Sequence, residues 1–121
     1  MSDRPGSRRS LGAAGEQAAA AWYRAAGYEI IARNWRCREG EIDIVARKAR
    51  LLVFCEVKTR SSTAFGAPIE AITPAKARRL RVLATRFIAA TGHHGDLRFD
   101  VASVMRRPEG DFTVEVMQGI F

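Results

Sequence analysis

Apolar and polar positions alternate with a period of two along 40-GEIDIVARKARLLVFCEVKTR-60, the period of a β-strand. A break at Ala49-Arg50 separates two such runs, so the stretch reads as a hairpin. Upstream, Leu11, Ala18, Trp22 and Ala26 fall at helical spacing in an Ala-rich segment that Gly27 ends. A short strand, 28-YEIIARNW-35, and a polar turn from Arg36 to Gly40 follow. Downstream, Thr73-Pro74 is an N-cap with proline at the first helical position, opening a helix whose apolar stripe is Leu80, Leu83, Ala84, Phe87 and Ile88. Arg78, Arg79, Arg81 and Arg86 lie off that stripe, and Thr91 to Gly95 closes the helix. Two more strands, 97-LRFDVASVM-105 and 112-FTVEVM-117, are joined at Pro108-Glu109-Gly110. Residues 1–10 read as a flexible basic tail, and Ser61 to Ile72, with Gly66 and Pro68, as a mobile loop. The order α-β-β-β-α-β-β predicts an α/β fold, a mixed sheet with helices packed on it, in one domain over residues 11–121.

The hairpin carries the candidate chemistry. A turn through Ala49-Arg50 sets Lys48 opposite Leu51, Ala46 opposite Val53, Ile44 opposite Cys55 and Asp43 opposite Glu56. One face then shows Glu41, Asp43, Glu56 and Lys58, and the other, the expected core face, shows Ile42, Ile44, Ala46, Val53, Cys55 and Val57. Ala-Arg is not a favoured primed turn, so a shifted register or a bulge stays open. Like charges placed directly opposite destabilise a sheet, and two facing carboxylates call for a cation between them. An oxygen-only donor set suits Mg²⁺ or Mn²⁺. Lys58 adds a positive charge where a phosphate would sit. Metal, water and ammonium together are what phosphodiester hydrolysis requires. The alternative is a solvated stripe of charges on an ordinary hairpin.

Charge favours a polyanionic partner. Twenty Lys+Arg against 13 Asp+Glu give a net +7, and arginine binds phosphate bidentately. This points to nucleic acid before a membrane surface. No apolar run is long enough to span a bilayer, and the start MSDRPGSRRS lacks the hydrophobic segment of a secretory signal. Cys37 and Cys55 form no C-x-x-C pair, and Cys55 faces away from Glu56 as a small buried hydrophobe. A cytoplasmic location is expected. Among the remaining polar residues, Lys76 projects inside the apolar stripe, either snorkelling past the core or reaching over the acids to a phosphate. Arg60 extends the Glu56/Lys58 face. Asp100 is expected to make a structural ion pair with an arginine, and His93-His94 lack metal-ligand spacing.

The spacing D-x12-E-x-K over Asp43, Glu56 and Lys58, after a helix bearing Glu16, resembles the PD-(D/E)xK nuclease superfamily and in particular archaeal-type Holliday junction resolvases. G-x-x-G-E at Gly12, Gly15 and Glu16, R-N-W, G-E-I-D-I-V-A, V-F-C-E-V-K-T-R, F-G-A-P and R-F-D-V together resemble the YraN family of bacterial proteins, over nearly the whole chain from Leu11. The resemblance implies a restriction-endonuclease-like core with Glu16, Asp43, Glu56 and Lys58 in the catalytic roles. The superfamily's usual proline before the first aspartate is replaced by Ile42. The expected protein is a Mg²⁺- or Mn²⁺-dependent endonuclease acting on branched or structured DNA rather than RNA. Asp43, Glu56 and the backbone carbonyl of Val57 would hold the metal, Lys58 would assist the attacking water and Glu16 would support the metal. Arg36, Arg38, Arg60, Lys76 and Arg79 would meet phosphates. A homodimer stays open. The rival expectations are a non-catalytic nucleic-acid-binding module with the same fold and a protein–protein adaptor in DNA handling.

Overall fold

A computed structural model describes residues 8–61 and 73–120. Residues 62–72 of the expected mobile loop and residues 1–7 of the expected tail lie outside the described residues. Helix α1 runs over Arg8–Ala25, so Arg8 to Ser10, expected as tail, form its first turn; arginine is a good helix former. The helix ends on Gly27 at φ +92°. Gly27 N–H donates to Arg24 O at 3.0 Å and Tyr28 N–H to Tyr23 O at 2.9 Å, the paired bonds of a Schellman cap. Gly15 is buried against Thr59, whose side chain any Cβ would overlap. Only glycine lets the helix lie that close.

Five strands follow the expected order. They are β1 (Glu29–Cys37), β2 (Gly40–Lys48), β3 (Leu51–Arg60), β4 (Asp96–Arg106) and β5 (Phe112–Met117), with α2 (Pro74–Thr91) between β3 and β4. The spatial order is β1-β2-β3-β4-β5, antiparallel except for β3 and β4. A parallel pair needs a crossover, which α2 provides. Its start matches the expected cap: Thr73 is extended, its Oγ1 accepts from Lys76 N–H at 3.1 Å, and Pro74 follows at the first helical position. Gly92 at φ +76° closes it, donating to Ile88 O at 2.9 Å. No helix among the described residues is long and apolar enough to cross a membrane.

The sheet is covered on both faces. Ala19, Ala20 and Tyr23 of α1 pack with Ile44, Ala46, Val53, Cys55, Ala102 and Val104. Leu80, Leu83, Ala84 and Phe87 of α2 pack with Ile42, Val45, Leu52, Phe54 and Phe99. The face of β2–β3 that carries the acids is therefore core over Val45, Leu52 and Phe54 and opens only near the acids. Ile42 corrects the sequence reading: it packs under α2 and not beside Ile44 under α1. Both strands of the first hairpin change facing at one level, since Trp35 packs on the α2 side, 5.4 Å from the Phe87 ring, while Arg33 reaches Gln17 on α1 at 2.9 Å. The pairing passes from Arg33–Ile44 to Trp35–Ile42 across Asn34 and Asp43, and Asn34 sits at φ +52°.

The second hairpin keeps the expected register from Lys48–Leu51 to Ile44–Cys55, where the ladder ends; the expected Asp43–Glu56 pair is not part of it, and Asp43 Oδ2 accepts from Val57 N–H at 2.8 Å. Its turn does so with Ala49 in the left-handed region, φ +52°, at about 1–2 kcal/mol for a residue with a Cβ. Ala49→Gly should relieve this and stabilise the fold by about 1 kcal/mol, raising the melting temperature by roughly 3–5 °C. An unchanged or lower melting temperature would show that Ala49 carries no such cost.

Asp100 is buried to 0% exposure and fully engaged. Arg98 grips it through Nε to Oδ1 and Nη2 to Oδ2, both at 2.9 Å, while Tyr23 Oη donates at 2.7 Å and Gly119 N–H at 3.1 Å. The expected structural ion pair with an arginine is present. It ties α1, β4 and the C-terminal residues together.

Candidate functional site

Three acids from two elements meet at the level where β1 and β2 change facing. Glu16 comes from α1, one residue after the glycine that seats the helix on β3. Glu41 and Asp43 come from β2. One carboxylate oxygen from each lies within 4.8 Å of the others, and all three residues are half-buried. Burial pushes the Asp43 carboxyl up to about 6, helped by the charges of Glu16, Glu41 and Glu56; a hydrogen bond from Val57 N–H at 2.8 Å acts the other way. Burial also raises Glu16, as does Glu41, whereas a hydrogen bond from the Asn34 side chain and the charge of Arg33 lower it.

On the α2 side Asp43 and Glu41 share a cavity of about 60 Å³ with Glu56, Lys76, Arg79, Leu80 and Leu83. Glu56 is 18% exposed and Lys58 31%, and Lys58 Nζ lies 3.1 Å from Glu56 Oε1. Glu56 Oε2 is buried with no hydrogen-bond partner. A buried acceptor without a partner is costly, and this one belongs to a residue lining an acidic cavity. The oxygen-only donor set of Glu16, Glu41 and Asp43 fits a hard divalent cation, with Glu56 on the wall of the adjoining cavity. Lys76 and Arg79 supply positive charge at the cavity wall.

The residues singled out in the sequence fall into three groups. Glu16 and Asp43 come together with Glu41, which alternation had put on the acidic face without giving it a role. Its place two residues before Asp43 in G-E-I-D was the available signal. Glu56 lines the cavity with Asp43, and Lys58 is paired to Glu56; Val57 meets Asp43 through its backbone N–H. Of the two readings of Lys76, the structure places it in the cavity wall with Arg79. Arg36 forms an ion pair with Glu41, Nε to Oε2 at 3.1 Å, but is 76% exposed, so the pair contributes little to stability. Arg38 is exposed in the β1–β2 turn, and Arg60 is half-buried at the end of β3. His93 stacks on Phe87 at 5.9 Å. Cys55 is fully buried, with burial pushing its thiol up to about 12, so it is inert. Asn34, which no sequence signal marked beyond its place in R-N-W, touches Glu16.

The raised Asp43 pKa has a stability consequence. The folded chain holds a proton on Asp43 up to about pH 6, whereas an unfolded aspartate releases it near 3.9. The native state thus binds more protons between those values, and stability falls as pH rises from about 4 through 6. At neutral pH the loss is on the order of 2 kcal/mol. Asp43→Asn should remove it while keeping an acceptor for Val57 N–H. Its melting temperature should match the wild type near pH 4 and exceed it at pH 7. Parallel melting curves of the two proteins at all pH values would refute this.

The sequence comparisons concern the same span. The family model described as "Uncharacterised protein family UPF0102" matches residues 15–104, from Glu16's neighbour Gly15 through most of β4. A UPF0102 protein of Acidothermus cellulolyticus is 46% identical over the whole of both chains. One of Parafrankia sp. (strain EAN1pec) is 52% identical over 92% of this chain and 95% of its own. One of Beutenbergia cavernae is 49% identical over 92% and 95%.

Proposed function

The chain belongs to the uncharacterised protein family UPF0102, the YraN family its motifs resemble, and from that premise we propose that it is a Mg²⁺- or Mn²⁺-dependent endonuclease of the PD-(D/E)xK kind that hydrolyses branched or structured DNA in the cytoplasm. The observation that carries this reading is the meeting of Glu16, Glu41 and Asp43 within 4.8 Å at the edge of a cavity that Glu41 and Asp43 share with Glu56, Lys76 and Arg79, Lys58 being paired to Glu56. Clustered carboxylates give nothing to simple phosphate binding, which they repel. They are useful when a divalent cation offsets them. Asp43 and Glu56 would hold that ion, with Glu41 and Glu16 completing its oxygen set. What the ion supplies to a phosphodiester is charge compensation and acidified water.

The chain's own residues do the rest. Lys76 and Arg79 hold the phosphate against the cavity wall and orient the scissile bond. Lys58, fixed by Glu56 at 3.1 Å, points its ammonium to the attacking water and to the negative charge that grows on the phosphoryl oxygens. The water oxygen bonds to phosphorus, the bond to the leaving oxygen breaks, and a proton passes to that oxygen. Arg36, Arg38 and Arg60 extend the basic rim along which the backbone lies.

The test is incubation with a labelled four-way junction, linear duplex and single strand in Mg²⁺, Mn²⁺ or EDTA. Cleavage is expected with either metal and not with EDTA. Inertness on all three substrates with both metals would overturn the enzyme reading and favour the non-catalytic binding module. Binding itself should weaken steeply with salt: with about five phosphates neutralised, log K against log salt has a slope of roughly −4 to −5. Affinity unchanged between about 50 and 200 mM salt would instead favour the adaptor.

A further inference from the structure

A mid-strand residue with a side chain at φ +52° is uncommon. Asn34 is such a residue, and it is exposed, so no demand of the core explains it. Asparagine is among the few residue types that enter this region at small cost. Its position coincides with three other features. In β1, Arg33 faces α1 and Trp35 faces α2; in β2, Ile44 faces α1 and Ile42 faces α2. Residues two apart on a regular strand share a face, so both strands turn over at the Asn34–Asp43 level. That is also where Asp43 meets Glu16 and Glu41 within 4.8 Å. Finally, the Asn34 side chain lies within hydrogen-bonding reach of the Glu16 carboxylate.

We propose that Asn34 is the positioning residue of the acidic cleft: its left-handed backbone turns β1 and β2 so that Glu41 and Asp43 meet Glu16, and its amide holds the Glu16 carboxylate in place. A regular β1 would continue the alternation and carry Asp43 onto the α2 face alone, out of reach of an acid on α1. Backbone departures of this kind persist only where the surroundings over-determine them, and they cluster at functional sites. The proposal rests on the reading of the acids as a cation site, which its test examines separately.

Two substitutions separate backbone from amide. Asn34→Gly keeps access to positive φ and loses the amide; Asn34→Ala loses both. Mn²⁺ binding to the full chain, followed by titration calorimetry, is the main readout, with thermal melting beside it. Asn34→Gly is expected to melt within a few degrees of wild type while binding Mn²⁺ about tenfold more weakly, the scale of one lost hydrogen bond to a charged group. Asn34→Ala should both melt lower and bind Mn²⁺ more weakly. A purely structural role would lower melting and binding together in both variants, which would overturn the proposal, as would equal Mn²⁺ affinity in wild type and Asn34→Gly. A wild-type chain that takes up no Mn²⁺ is a different result: it removes the cation site itself.

Discussion

Asp43→Asn and Glu56→Gln are each expected to abolish metal-dependent cleavage, by at least about a hundredfold, while leaving nucleic-acid affinity equal or slightly higher. The two effects have opposite signs for one electrostatic reason. Each carboxylate repels an approaching phosphate and attracts the cation that would offset it. Neutralising one therefore eases binding of the polyanion and removes a ligand from the cation. Folding should survive, since the acids already repel one another at the cleft, and Asp43→Asn should raise the melting temperature at neutral pH. Lys58→Ala serves as the contrasting variant. It also loses cleavage, but it weakens binding a little and leaves Glu56 Oε1 without its 3.1 Å partner. The measurement is single-turnover cleavage of whichever labelled substrate the wild type cuts, alongside binding of that substrate in EDTA. Cleavage that survives Glu56→Gln would place the chemistry elsewhere.

Asp100→Ala is expected to be the most damaging single substitution to stability. The carboxylate is fully buried and accepts from Arg98 twice, from Tyr23 and from Gly119. Truncation leaves a largely buried guanidinium facing a hole, together with a phenol and a backbone N–H that lose their acceptor. Removing one partner of a buried pair costs about 3–5 kcal/mol, a large part of the roughly 5–15 kcal/mol that holds a small domain folded. The melting temperature should fall by roughly 10–20 °C. Tyr23→Phe removes only the 2.7 Å bond from the phenol and should cost about 1–2 kcal/mol. Thermal and denaturant unfolding of the two variants checks the ranking. Equal losses would mean that Arg98 contributes little and that the phenol carries the network.

Local signals in the sequence predict the structure where the physics is local. Thr73-Pro74 states a helix start in two residues, and Gly27 and Gly92 end helices because their backbones must turn left-handed. The hairpin register follows from alternation on both sides of Ala49-Arg50, and β5 falls on the expected residues. Asp100 was legible as an ion-pair residue because Arg98 stands two positions before it on the same strand. What alternation could not show was the turnover at Asn34. A period of two assumes a regular strand, and nothing in R-N-W announces that its middle residue leaves β geometry. Ile42 was consequently set on the wrong face. Glu41 was seen as a charge on the acidic face and not as the third carboxylate, because the approach of Glu16 on α1 is a tertiary fact. That approach depends on Gly15 against Thr59, a contact between residues far apart in sequence.

The parallel pairing of β3 with β4 concentrates the folding cost of the molecule in one place. β1, β2 and β3 join through two short turns and can zip as neighbours in microseconds, but Leu51 pairs with Asp96 only after the intervening chain has closed. Loop-closure entropy of that kind must be met before the contacts it allows form, and such non-local pairings slow folding. Asp43 and Glu56 lie on the part that zips early, whereas α1, which packs across β3 and β4 and brings Glu16, can dock fully only once β4 is in place. The cleft is thus assembled in two instalments, its strand half before its helix half. A nascent or refolding chain carries a repelling, incomplete set of acids until the last strand pair closes.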